Sequence, residues 1–128
     1  MTFTKPTDDI TIAGGPGAFS LIASGTVYGG QCVIPNDTMK VFPATDNTDA
    51  FIGVAVYDKS NNEPIAVAGK GSIVRCIVLG SSKCTVGDDI FCSGSEGKIS
   101  NTGTAANKIG VALETQATTA GTARILLV

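Results

Sequence analysis

Phe51-Ile52-Gly53-Val54-Ala55-Val56-Tyr57 is echoed 57 residues later by the shorter stretch Ile109-Gly110-Val111-Ala112-Leu113. In both, the larger side chains fall on alternate positions: Ile52, Val54 and Val56 in the first, Ile109, Val111 and Leu113 in the second. A two-residue period is that of a β-strand. The positions between them are Gly53 and Ala55, or Gly110 and Ala112, so the second face is made of small residues that allow another backbone to come close. Each copy is therefore expected to be a strand buried on both sides.

The echo extends upstream, where Val27-Tyr28-Gly29-Gly30-Gln31-Cys32-Val33 aligns with Thr85-Val86-Gly87-Asp88-Asp89-Ile90-Phe91 at a shift of 58. Two separated matches with nearly equal internal spacing predict two versions of one supersecondary unit, at about 24–68 and 82–127. The fold class that follows is all-β: a compact barrel or sandwich built from two similar halves in a pseudo-twofold arrangement, each covering the other's apolar face. The run Ser72-Ile73-Val74-Arg75-Cys76-Ile77-Val78-Leu79 is the most apolar in the chain and is expected to be a central strand linking the halves. Within it Arg75 reads as a solvated residue, or as one at the sheet edge or paired with a carboxylate. Residues 1–9, polar apart from Phe3 and interrupted by Pro6, read as an N-terminal arm, and 10–128 as a single β domain.

The composition agrees with short strands. The 16 Gly and 5 Pro interrupt almost every window of a dozen residues, while Val, Ile and Thr fill the runs between them. Turns are expected at Gly29-Gly30, Pro35-Asn36-Asp37, Gly69-Lys70-Gly71 and Gly87-Asp88, with strands at 26–28, 31–34 and 39–42 between the first of them. Residues 104–117 could also carry a helical stripe of Ala105, Ile109, Ala112, Leu113 and Gln116. Gly110 in its middle, at about 1 kcal/mol against Ala, and the strand-like first copy argue for a strand instead.

Nine basic and 11 acidic residues give a net charge of −2, and the basic ones are scattered, which disfavours a nucleic-acid partner. No apolar run approaches a membrane span, and Met1 to Pro6 lack the apolar stretch of a signal peptide, so the chain is expected to be made in the cytoplasm and to stay soluble. Without a secretory signal, Cys32, Cys76, Cys84 and Cys92 are expected to be free buried thiols, a Cys84 to Cys92 bridge requiring an extracellular setting. Their spacings do not match the close Cys pairs of zinc sites, and there is no His to complete one, so no metal or cofactor is expected.

The absence of His also removes the commonest general base and with it Cys-His and Ser-His-Asp catalysis. Asp8-Asp9 and Asp88-Asp89 are sequence neighbours, which point to opposite faces of an extended chain and cannot converge on one bond. Gly14-Gly15-Pro16-Gly17 is followed by Ala18 and Phe19 where a phosphate-binding loop needs Lys and Ser or Thr. Asp46-Asn47-Thr48-Asp49 lacks the carboxylate spacing of a calcium loop. Ser81-Ser82-Lys83 lacks the spacing of a Ser/Lys nucleophile pair. The expectation is a structural or binding protein rather than an enzyme.

Val27 to Gly30, Ile52 to Ala55, Val86 to Asp89, Ile109 to Ala112 and the closing Ala123 to Val128 together resemble small virion proteins of tailed bacteriophages. The likeness is to a family encoded beside major capsid proteins and, more loosely, to the head decoration proteins of lambda-like phages, and it covers about residues 23–128. It implies a β-rich knob bound to the outer surface of the capsid, reinforcing the shell, with the major capsid protein as partner. The resemblance also implies a homo-oligomer, a trimer favoured, located on the virion. The arm would add an edge strand to the capsid protein, with Thr2, Phe3, Thr4 and Lys5 as the contacts. The rival reading is a ligand-binding β module for carbohydrate or a host surface. Against it stand the absence of Trp and the presence of only Tyr28 and Tyr57 as Tyr.

Overall fold

Short runs of β-branched residues between glycine- and asparagine-rich turns favour extended backbone over helix. In the computed structural model, the described residues are 12–13, 18–45, 51–79, 84–92, 96–103, 108–116 and 121–128. Among them are strands and no helix: β1 (Ile12–Ala13), β2 (Ala18–Ala23), β3 (Cys32–Asp37), β4 (Lys40–Pro43), β5 (Gly53–Ala55), β6 (Pro64–Ala68), β7 (Ile73–Ile77), β8 (Asp89–Cys92), β9 (Ile99–Ser100), β10 (Lys108–Ala112) and β11 (Thr122–Leu127). The strand alternative at 104–117 is the one the described part adopts, as β10.

The first sheet is a closed barrel in the order β2-β4-β3-β5-β6, closed by the parallel pairing of β2 with β4. Its interior holds Ala23, Val27, Val33, Val41, Ala55, Ile65 and Val67. The second sheet runs β1-β7-β11-β10-β8-β9. Val78 and Ile99 form a parallel bridge that brings the end of β7 to β9, so this sheet also curls toward closure.

Apart from β1, which has no counterpart, the second sheet repeats the first strand for strand. Between β3 and β5, Cys32 and Val33 oppose Val54 and Gly53; between β8 and β10, Asp89 and Ile90 oppose Val111 and Gly110. The parallel pair Ala23 and Val41 corresponds to Val78 and Ile99, and the bridge Val27 to Lys59 corresponds to Cys84 to Gln116. The turns agree as well. The Gly30 amide donates to the Ala55 carbonyl (2.7 Å), as the Gly87 amide does to Ala112 (2.9 Å). Gln31 Oε1 accepts from the Tyr28 amide (2.8 Å), as Asp88 Oδ2 does from Thr85 (2.9 Å). Gly30, at φ 93°, is thus the counterpart of Gly87, at φ 90°, and the shift here is 57 rather than 58. Strand β7, in the most apolar run, lies between β1 and β11 and stands to β11 as β2 stands to β6.

The echoed strands explain their glycines. A Cβ at Gly53 would overlap the Ala68 carbonyl oxygen of β6, and one at Gly110 would overlap the Leu126 carbonyl oxygen of β11. Both positions need the close approach of a neighbouring strand that only Gly permits.

Three expectations are corrected. β3 runs on through Pro35, Asn36 and Asp37, and the turn follows at Thr38 and Met39. Beyond Val33, β3 has no β5 partner and a bulge lies between Pro35 and Asp37, so the missing proline N–H leaves no ladder bond broken. Residues 26–28 contribute only the Val27 bridge rather than a strand. Burial on both faces holds for the first copy, where Gly53, Val54, Ala55 and Val56 are buried, but in the second copy Val111 is half-buried and Leu113 is 41% exposed. Arg75 takes the carboxylate alternative: half-buried, it pairs with Glu114 at 3.3 Å.

Candidate docking surface

Two similar halves give two similar outer faces, and the chain uses only one of them internally. The outer face of the first barrel carries Cys32, Val54, Val56 and Ala68. All four are buried in one cluster with Cys76, Val78, Ile99 and other residues of the second half. The turn after β8 locks this contact. Gly97, at φ 70°, donates its amide to the Ala44 carbonyl (2.8 Å) and accepts from the Cys32 amide (2.8 Å). The Ile77 amide donates to the Gly30 carbonyl (3.0 Å), and Gln31 Nε2 donates to the Glu96 carbonyl (2.9 Å). A Cβ at Gly97 would lie 2.8 Å from both the Cys32 oxygen and the Gln31 Cβ, so the residue type is fixed by the seam.

The contact is not reciprocal. The counterparts of Cys32, Val54, Val56 and Ala68 are Asp89, Val111, Leu113 and Leu126, which are half-buried or exposed. A row Ile73, Leu126, Val111 and Asp89 crosses four strands of the second sheet in register. Val86 (59% exposed) and Leu113 (41%) flank it at one corner, where the Gly87 to Ala112 hydrogen bond makes their chain segments neighbours. The charged side chains around the row are paired: Glu114 with Arg75 (3.3 Å) and Arg124 (3.6 Å), and Lys108 with Asp89 (3.1 Å). Three apolar residues in a row, ending on the ion-paired Asp89 and rimmed by paired charges, suit protein contact better than bond-making chemistry. Elsewhere Met39 (62%) marks the tip of the β3–β4 hairpin, and Tyr57 (58%) follows β5.

Three of the four thiols are held in their protonated state. The Cys32 thiol is pushed well above its ordinary 9.0, first by its hydrogen bond with Cys92 and then by burial. Burial also raises Cys76 and Cys84. A thiol held protonated is a poor nucleophile and a poor metal ligand. None of the four cysteines is in a disulfide, and all four are buried. Among the described residues no three Cys, Asp or Glu side chains gather as a metal site. Asp88 accepts from the Thr85 amide, while Asp89 pairs with Lys108, so the two neighbours serve a turn and the surface. An open cleft of about 280 Å³, lined by Thr26, Tyr28, Gln31, Phe42, Pro43, Thr45 and Glu96, lies beside the seam. Its size is at the lower end for small-molecule sites.

Thr2, Phe3, Thr4 and Lys5 lie outside the described residues, as do Asp46 to Asp49, Gly14 to Gly17 and Ser81 to Lys83. The chain enters the described fold at β1, where Ile12 and Ala13 oppose Val74 and Ile73 at the edge of the second sheet. The sequence reading missed the Val86 and Leu113 corner. Its one visible trace is that Val86 replaces a small residue, Gly29, on the strand's approach to its turn.

The head fiber gp8.5 N base of bacteriophage phi29 is similar in fold, with a TM-score of 0.65 over 92% of this chain and 95% of that chain, at 17% identity. No curated protein matches in sequence. The family model of phage cement proteins matches residues 12–127, from the first residue of β1 to the last of β11. With that span covering both sheets, the chain belongs to the phage cement protein family and is a capsid-associated structural protein of the virion.

Proposed function

We propose that the chain decorates the outer surface of the phage head and stabilises the shell by bridging major capsid protein subunits. It acts as a homo-oligomer, with a trimer favoured, and performs no catalysis. The observation that carries this reading is the match to the phage cement family over residues 12–127, which spans both sheets. Residues 1–11 precede the matched span in sequence, and Ile12, the first described residue after them, pairs with Val74 at the edge of the second sheet. Thr2, Phe3, Thr4 and Lys5 are the proposed capsid contacts, adding main-chain hydrogen bonds to an edge of the capsid protein. The β domain then supplies bulk and a second contact.

The test is deletion of residues 2–5, followed by co-sedimentation with heads that lack the protein. The shortened chain should keep its unfolding midpoint and lose most of its binding. Binding equal to that of the full chain would refute the assignment of these residues.

A further inference from the structure

The open face of the second half has a counterpart whose occupant is already visible in the same molecule. We infer that the corner formed by Val86 and Leu113 is a docking site for a second copy of this chain, which lays its β3–β4 hairpin there. This deepens the homo-oligomer reading above by naming the surface and the element that meet.

The argument follows the strand-for-strand correspondence. In the first half, Cys32, Val54, Val56 and Ala68 are covered by a unit of the same fold, and the element that reaches furthest across is the turn at Glu96 and Gly97, between β8 and β9. The counterpart of that turn is the tip at Thr38 and Met39, between β3 and β4, and Met39 shares the left-handed backbone of Gly97 (φ 58° and 70°). The counterpart of the covered surface is the row Asp89, Val111, Leu113 and Leu126. The tip is exposed and the surface is half-buried or exposed, and one chain cannot bring its own pair together, because its two halves are already joined through the other pair. A second copy can.

The side chains at the two counterparts differ in compensating ways. Where Gly97 brings no side chain, Met39 brings one that is 62% exposed. Where the first half has buried Gly29 and Val56, the second has Val86 and Leu113, which offer a wider apolar seat. Met is well suited to filling such an irregular contact. Lys40, next to Met39, would face Asp88, the counterpart of Gln31, which is in no ion pair among the described residues, whereas Asp89 is already held by Lys108. The charges are therefore complementary across the contact.

Such a contact joins unlike surfaces, so it must either close into a ring or propagate. A ring of three is the closed form that matches the trimer proposed above. What separates this arrangement from a reciprocal dimer is that the unsubstituted chain forms species larger than two copies.

The test uses Met39→Asp and Leu113→Asp, two exposed positions where Asp leaves the folded core untouched; far-ultraviolet circular dichroism and unfolding midpoints check this. Sedimentation velocity of the full-length chain should show self-association. Each variant alone should associate more than about tenfold more weakly, a loss of only about 1.4 kcal/mol. An equimolar mixture of the two should form dimers and nothing larger, because Met39→Asp keeps its corner and Leu113→Asp keeps its hairpin. A chain that stays monomeric at its highest soluble concentration, or a mixture that stays monomeric while the unsubstituted chain associates, would overturn the inference. So would a Leu113→Asp chain that associates normally but no longer sediments with heads, which would assign the corner to the capsid protein. Failure of the residue 2–5 deletion test would leave these self-association results unchanged.

Discussion

Replacing Gly97 by alanine should destabilise the protein by more than its backbone conformation alone explains. At φ 70° an L-residue costs about 1 to 2 kcal/mol relative to glycine. Gly25 supplies the reference for that term, because it sits at φ 79° with nothing within 4 Å of an added Cβ. At Gly97 the added Cβ would stand 2.8 Å from the Cys32 oxygen and from the Gln31 Cβ, which the seam can relieve only by opening. Opening weakens the hydrogen bonds to Ala44 and from Cys32, both 2.8 Å, at about 0.5 to 1.5 kcal/mol each. The expected losses are therefore about 1 to 2 kcal/mol for Gly25→Ala and about 2 to 5 for Gly97→Ala. The assay is urea unfolding followed by circular dichroism, with equal slopes required so that midpoints report stability. Equal losses at the two positions would refute the argument that the turn after β8 locks the halves together.

Other expectations follow from the same geometry. Gly53→Ala and Gly110→Ala should each be strongly destabilising and similar in size, since both force a Cβ into a carbonyl of the neighbouring strand; thermal unfolding would show one of them neutral if the correspondence failed. Ile65→Ala and Ile90→Ala, one in each half's interior, should each cost about 2 to 5 kcal/mol by chemical denaturation. The raised thiols give a pH dependence. Native Cys32, Cys76 and Cys84 hold their protons more tightly than the unfolded chain, so their contribution is full below pH 9 and is lost as pH rises past that ordinary value. Unfolding midpoints measured from pH 7 to above 9 should fall at the alkaline end, and less steeply in Cys76→Ala; identical slopes would contradict the assignment. Glu114→Gln should cost only about 1 kcal/mol or less, because its partners Arg75 and Arg124 are partly solvated.

The echo at Gly53 and Gly110 made the fold legible because the close strand approach leaves its mark on residue type. The register of the upstream match was off by one because Gly29 and Gly30 stand side by side, and only the backbone distinguishes the residue with positive φ. β2 and β7 were not recognisable as counterparts: Ala-Phe-Ser-Leu-Ile-Ala and the run at Ile73 share alternation but hardly a residue, since a barrel interior fixes volume and polarity rather than identity. Pro35 to Asp37 carried turn chemistry inside a strand, which the missing neighbour on that edge allows. The docking corner was hidden for a different reason. Alternation shows which residues share a face but not whether a partner covers it, so Leu113 and Val56 looked alike in sequence and differ tenfold in exposure.

The most direct test of the account is to purify phage particles from lysate and quantify this chain against the major capsid protein by mass spectrometry. A fixed ratio of many copies per particle, retained through gradient purification, is the predicted result. Recovery of the chain in the soluble fraction, with none on the particles, would contradict it.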